Sequence, residues 1–174
     1  MSAVNKLFES LHYWRKAKPD HLLYSFLDIH GDEIEAHTYA SFCSRYESIA
    51  AYLCQLPGVK AGDRIILLFP HGLELICSIF ACVRAGLIPV PTSLPSGNQS
   101  QASFHRLSGI IHNCQPSHLL LNSTSYQELN QCHDSLLNQL TPQFAQLLSN
   151  YFINTDEIQN LPLNDCNEIL SVIV

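Results

Sequence analysis

Five consecutive apolar residues, Ile65 to Phe69, are followed by a segment bounded by glycines, Gly72 to Gly86, and then by a second short run, Leu87 to Val90. This arrangement constrains the fold more than any other feature of the chain. A strand that is apolar at every position must be covered on both faces, which is the situation of a parallel sheet. Two parallel strands need a crossover between them, and Gly72 to Ala85 has the length and the nearly all-round apolar character of a buried crossover helix. Pro89-Val90-Pro91 cannot donate evenly to a ladder, so it is expected at a strand end that opens into a loop.

The same alternation extends in both directions. Leu7, Leu11 and Trp14 recur at helical spacing before Pro19, which predicts an N-terminal helix within residues 1–20. Leu22 to Ile29 and Glu33 to Tyr39 read as a hairpin around His30-Gly31-Asp32, and Thr38 can cap a helix from Tyr39 to Leu56 with the stripe Phe42, Tyr46, Ile49, Ala50 and Leu53. Residues 92–101 form a polar, turn-rich segment expected to be a flexible loop. Ser103 to Cys114 is a further helix and Ser117 to Asn122 a further strand. Beyond them, Leu129 to Leu148 is helical with a break near Pro142, Tyr151 to Asn154 is a strand, Asp156 to Asn160 a helical turn, and Glu168 to Val174 a last apolar strand. The expected fold is α/β, a doubly wound and mostly parallel sheet with helices on both faces, preceded by a β-hairpin.

Charge and composition remove whole classes of function. The chain has 174 residues, 47% hydrophobic and 14% charged, with a net charge of −6. Beyond residue 88 only Arg106 stands against six acids, so the basic face that general nucleic-acid binding needs is missing. The longest apolar runs are about a third of a bilayer crossing, so no membrane span is expected. The first residues carry an acid and a histidine where a signal peptide needs an apolar run, which points to the cytoplasm. Seven cysteines are an odd number for a disulfide framework, and Cys43, Cys54, Cys77 and Cys82 fall in apolar periodic segments, so they read as reduced core thiols.

No constellation in the sequence carries chemistry by itself. Cys77 and Cys82 are about 140° apart on their helix and belong to its core. His105 and His112 share a helical face, with Cys114 and His118 following, but the spacing matches no metal motif, and no metal site is expected. A nucleophile elbow is absent, because Leu107-Ser108-Gly109 lacks the first glycine. Glu33 and Glu35 share one face of a hairpin strand and read as a solvated edge. A phosphate cradle needs converging small residues and usually a lysine. The seven glycines are 31, 58, 62, 72, 86, 97 and 109 and the four lysines 6, 16, 18 and 60, so no glycine-rich loop with a lysine occurs. No catalytic and no cofactor-binding residue is therefore assigned. His71, Gly72, Pro91 and Thr92 stand at strand ends, where ligands of such sheets lie, and are the candidates for a substrate cleft.

Several stretches resemble one family in order and spacing. They are Tyr24-Ser-Phe-Leu-Asp28 with Gly31, His37-Thr-Tyr-Ala-Ser-Phe-Cys-Ser-Arg45, Ile49-Ala-Ala-Tyr-Leu53, and the long run from Gly62-Asp63-Arg64 through Pro70-His71-Gly72-Leu73 to Ala85-Gly86 and Val90-Pro91. Phe104-His-Arg-Leu107, with Ile110-Ile-His-Asn-Cys-Gln-Pro116, continues the pattern. Together these are similar to the N-terminal portion of the adenylate-forming enzymes, and of their fatty acyl-AMP ligase branch in particular. The matching spans residues 21–122, and Asn154-Thr-Asp156 extends it. Two departures stand out: Ser93-Leu-Pro-Ser96 replaces a Tyr-Pro-Pro run, and His71 stands where proline is frequent.

The resemblance implies attack of a fatty carboxylate on the α-phosphate of ATP, giving acyl-AMP and pyrophosphate with Mg²⁺. It also implies that the phosphate loop, adenine-binding segment, metal-binding glutamate and C-terminal lysine follow the strand corresponding to Ile169 to Val174. On that basis residues 1–174 are expected to form a single, incomplete AMP-binding-type domain, with 123–174 ending before the phosphate loop. ATP and Mg²⁺ are then expected only for a complete family member. The implied partners are the remainder of a ligase or an acyl carrier protein system, with a fatty acid as ligand. A stand-alone α/β module that binds an acyl chain or a protein, without catalysis, is the competing reading.

Overall fold

The structure is a computed structural model that describes residues 3–94, 100–136 and 142–159. Helix α1 (Ala3–Ala17) leads into the hairpin β1 (Leu22–Leu27) and β2 (Glu33–Thr38), whose strands pair antiparallel. Asp28 organises the turn between them. Its Oδ1 accepts the backbone N–H groups of His30 at 2.8 Å and Asp32 at 2.9 Å, while Gly31 takes φ 89°. Helix α2 (Tyr39–Gln55) starts at a reciprocal cap, with Ser41 N–H donating to Thr38 Oγ1 and Thr38 N–H to Ser41 Oγ.

Strands β3 (Arg64–Leu68), β4 (Ile88–Thr92), β5 (His118–Leu121) and β6 (Phe152–Asn154) form one parallel sheet in the order β4-β3-β5-β6. Helix α3 (Leu73–Arg84) joins β3 to β4, α4 (Ser100–Cys114) joins β4 to β5, and α5 (Ser123–Leu136) with α6 (Pro142–Asn150) joins β5 to β6. The apolar run of β3 divides by parity. Ile65, Leu67 and Phe69 pack with α1, α2 and α3 on one face, and Ile66 and Leu68 pack with Phe104, Leu107, Ile111 and Phe144 on the other. Ile65, Ile66, Leu67 and Leu68 have no exposed surface, as expected for a strand covered on both sides.

Strand β4 runs two residues further than its prolines suggest, and the hydrogen-bond parity explains why. Ile88 N–H donates to Asp63 O at 2.8 Å, so residues 88, 90 and 92 face β3 and the two prolines face outward. Among the described residues β4 is the edge strand, so the missing donors fall where no ladder bond is required and make that edge a poor acceptor of a further strand.

Helix α5 begins six residues before Leu129, because Asn122 caps it by accepting Ser125 N–H at 2.9 Å. Of the expected loop 92–101, Thr92 belongs to β4 and residues 100 and 101 to α4, while 95–99 lie outside the described residues. The strand expected over 168–174 lies outside them as well. Cys43, Cys77 and Cys82 are free, buried core thiols, but Cys54 is disulfide-bonded, which corrects its assignment as a reduced thiol. Its position in a periodic helical segment carries no information about a distant sulfur.

Candidate functional site

The C-terminal ends of β3 and β4 open side by side. From Phe69 the chain turns through Pro70, His71 and Gly72 into α3, and from Thr92 it passes to Ser93 and Leu94. Between the two exits lies a cleft of about 380 Å³ lined by Phe69, Pro70, His71, Leu75, Pro91, Thr92, Ser93, Leu94 and Glu128. Its walls are mainly hydrocarbon, and Glu128, on α5, is the one carboxylate among them. The structure thus places His71, Pro91 and Thr92 on one cleft. Gly72 lines a second hollow of about 260 Å³ that shares Phe69, Pro70 and His71 with the first.

The second hollow is acidic. Besides Gly72 it is lined by Glu35, Glu74, Asn122 and Asp156. Each carboxylate there is already committed. Glu35 reaches over from the hairpin, and its Oε2 accepts Leu73 N–H at 2.9 Å, capping the first turn of α3. Asp156 accepts Ser123 N–H at 2.9 Å at the start of α5. Glu74 is gripped by Arg45, with Nε donating to Oε2 at 3.0 Å and a second nitrogen to Oε1. The same guanidinium donates to Thr155 O at 2.9 Å and Ile158 O at 3.3 Å, which ties the segment after β6 to α2 and α3.

The sequence reading of Glu35 as part of a solvated edge is corrected by this geometry. Nothing local to the hairpin reveals that a helix 38 residues downstream begins beneath it. His37 sits beside the same carboxylate, with Nε2 3.9 Å from Glu35 Oε1 and Nδ1 3.0 Å from Ser41 Oγ. Cys77 lies 3.9 Å from His37 Nε2, but burial, assisted by the charge of Glu74, pushes its thiol up to about 12. It stays protonated and is no nucleophile.

These residues do not suit a triphosphate. In α/β sheets anions bind at helix N-termini beside the C-terminal strand ends, where free N–H groups and the helix dipole converge. Here the N-termini of α3 and α5 are occupied by the protein's own carboxylates, and no lysine lines either hollow. What the first cleft offers is a mainly hydrocarbon lining with a few polar side chains, His71, Thr92, Ser93 and Glu128.

A parallel sheet with a leading hairpin, and a cleft at the C-terminal ends of its strands, is the α/β architecture in which the family assignment is read. The chain belongs to the AMP-binding enzyme family, whose model matches residues 11–164. Among individual relatives, Disco-interacting protein 2 homolog B-A of Danio rerio is 32% identical over 123 residues, 71% of this chain and 8% of the relative. The long-chain-fatty-acid–AMP ligase FadD32 of Mycolicibacterium smegmatis is 34% identical over 110 residues, 62% of this chain and 17% of the relative. The crystal structure of the fatty acid AMP ligase from Legionella pneumophila superposes with a TM-score of 0.65 at 25% identity, covering 95% of this chain and 25% of that one. The chain therefore spans a quarter or less of the length of these proteins.

Proposed function

We propose that this chain is the acyl-side portion of an ATP-dependent fatty acyl-AMP ligase and does not form acyl-adenylate unaided. The likeness to a fatty acid AMP ligase structure over 95% of the chain carries the ligase reading. His71, Pro91 and Thr92, with Leu75 and Leu94, receive the fatty acid in the cleft beside β4, and Gly72 forms the floor of the adjoining hollow. Nucleotide and Mg²⁺ are held by parts of the enzyme that these residues do not provide, because the helix N-termini at the sheet end are already capped. The acceptor of the activated acyl group is an acyl carrier protein or a comparable thiol carrier, and the protein acts in the cytoplasm.

The stand-alone reading, an acyl-binding module without catalysis, rests on the same apolar cleft and differs only in needing no further polypeptide. Both readings require that a fatty acid bind here. Titration of the chain with dodecanoate is expected to give saturable heat that Leu75→Asp abolishes, since the new carboxylate would face the chain inside the cleft. Absence of heat with the unmodified protein removes the acyl half of the proposal.

A further inference from the structure

Helix α1 has two apolar faces, and the core covers one of them. Leu11 and Phe8 pack inward, Phe8 against the rings of Tyr46 and Phe80, and Arg15 pairs with Glu47 on the same side. Leu7, Tyr13 and Trp14 stay outside, 45%, 63% and 37% exposed. Leu7 and Trp14 are seven residues apart and share one stripe of the helix, with Lys6 and Tyr13 forming the next.

These side chains are held in place. The Tyr13 ring meets Trp14 edge-on at 5.3 Å, and the Trp14 ring stacks on Tyr39 at 6.2 Å, which in turn stacks on His21 at 6.5 Å. Backbone N–H groups of Tyr39 and Ala40 donate to the carbonyls of His21 and Pro19, fixing the end of α1 to the start of α2. The rings are therefore ordered before anything covers them, and little conformational freedom is lost on contact.

Charge divides the same way. Residues 1–21 hold four of the nine Lys and Arg but two of the fifteen Asp and Glu, in a chain of net charge −6. Lys6 and Lys16 flank Tyr13 at helical spacing, and Lys18 Nζ stands 5.6 Å over the Trp14 ring, so three exposed cations border the aromatic pair. Glu9 is the one acid on α1, about 160° round the helix from Leu7, and Asp20 lies beyond its end.

We infer that the outer face of α1 docks on an anionic lipid bilayer, its aromatic rings at headgroup level and its lysines against the negative surface. Trp and Tyr favour the boundary between water and hydrocarbon, and basic side chains beside it are drawn to anionic headgroups. Lysine is depleted in protein–protein interfaces and its ammonium is strongly hydrated, whereas at headgroup level it keeps its water. That contrast favours lipid over a protein partner. The acidic remainder of the chain is repelled by the same surface, so the field turns α1 towards it. None of these residues lines the acyl cleft, and the test uses neither fatty acid nor ATP.

Trp14 is the only tryptophan in the chain, so its fluorescence reports this face directly. The test is titration of the 174-residue chain with vesicles of phosphatidylcholine alone and with vesicles of phosphatidylcholine and phosphatidylserine at about two to one, followed by sedimentation. The mixed vesicles are expected to shift Trp14 emission to the blue and to carry the chain into the pellet, binding it about tenfold or more tighter than phosphatidylcholine alone. Lys6→Gln combined with Lys18→Gln, read against its own lipid-free spectrum, is expected to weaken binding by about tenfold, and the corresponding pair of arginine replacements to restore it. Tyr13→Ser is expected to weaken binding severalfold, and salt at about 0.5 M to release the chain. No shift with the mixed vesicles, equal binding to both compositions, or sedimentation without a change in Trp14 emission would overturn the inference. A shift with poly-L-glutamate but not with vesicles would assign the face to an acidic protein partner and overturn it likewise.

Discussion

Glu35 Oε2 accepts the backbone N–H of Leu73 at 2.9 Å, so a carboxylate from the hairpin closes the positive end of the helix that borders the candidate cleft. Loss of a side-chain cap typically costs about 0.5–2 kcal/mol, and Glu35→Ala is expected to fall in that range by urea denaturation. Glu35→Gln, which keeps an acceptor but loses the charge, should lie between the two. A Cβ at Gly72 would meet Glu35 Oε2 at 3.5 Å, an ordinary contact, so Gly72→Ala should change stability by less than about 0.5 kcal/mol. A stable Glu35→Ala variant would contradict the capping role.

Arg45 joins Glu74 to the carbonyls of Thr155 and Ile158. The pair is largely enclosed, with side-chain exposures of 22% and 20%, so its removal strands several polar groups. Arg45→Ala is expected to cost about 2–4 kcal/mol, and a double-mutant cycle with Glu74→Ala should give a coupling above about 1 kcal/mol. Coupling near zero would show that the pair is incidental.

Stability should fall at both ends of the pH scale for separate reasons. Burial lowers the pKa of His118 below its usual 6.5, partly opposed by Asp63. The unfolded chain then binds more protons, so its contribution is full above 6.5 and is lost as pH falls through the depressed folded value. Burial raises Cys77 and Cys82 from 9.0 to about 12, so their contribution is full below 9 and lost as pH rises towards 12. Thermal midpoints measured across this range should flatten on the acid side in His118→Asn and on the alkaline side in Cys82→Ala. Unchanged limbs in these variants would assign the pH dependence to other groups.

Gln115 ends α4 with φ 44°, a left-handed conformation that costs an L-residue with a side chain about 1–2 kcal/mol. Gln115→Gly is expected to raise stability by about 0.5–1 kcal/mol, the gain being offset in part by the larger entropy of the unfolded glycine. A destabilised variant in chemical denaturation would mean that the glutamine side chain holds the turn.

The fold was legible wherever one residue's neighbours along the chain decide its environment. The parity of Ile65 to Leu68, the glycine bounds of α3 and the Thr38 cap are local facts, and all appear in the structure. The registers that failed depend on partners distant in sequence. Pro89 and Pro91 fit inside β4 only because Asp63 fixes which way their donors would have pointed. The sequence places His71, Pro91 and Thr92 at strand ends, whereas Glu35, Asp156 and Arg45 enter the same region from the hairpin, the segment after β6, and α2. Glu35 reads as a solvated edge charge until the fold brings it to a helix end, and nothing near Arg45 or Asp156 in sequence shows the partners they meet. The unsatisfied nitrogen of Arg84 belongs to the same class, since only packing removes it from water.

The cleft beside β4 is walled mainly by hydrocarbon, and the N-termini of α3 and α5 next to it are capped by Glu35 and Asp156. ATP–pyrophosphate exchange with the purified 174-residue chain, Mg²⁺ and dodecanoate tests this most directly. No label is expected to pass from pyrophosphate into ATP above the protein-free background. Fatty-acid-dependent labelling of ATP by this chain alone would contradict the account.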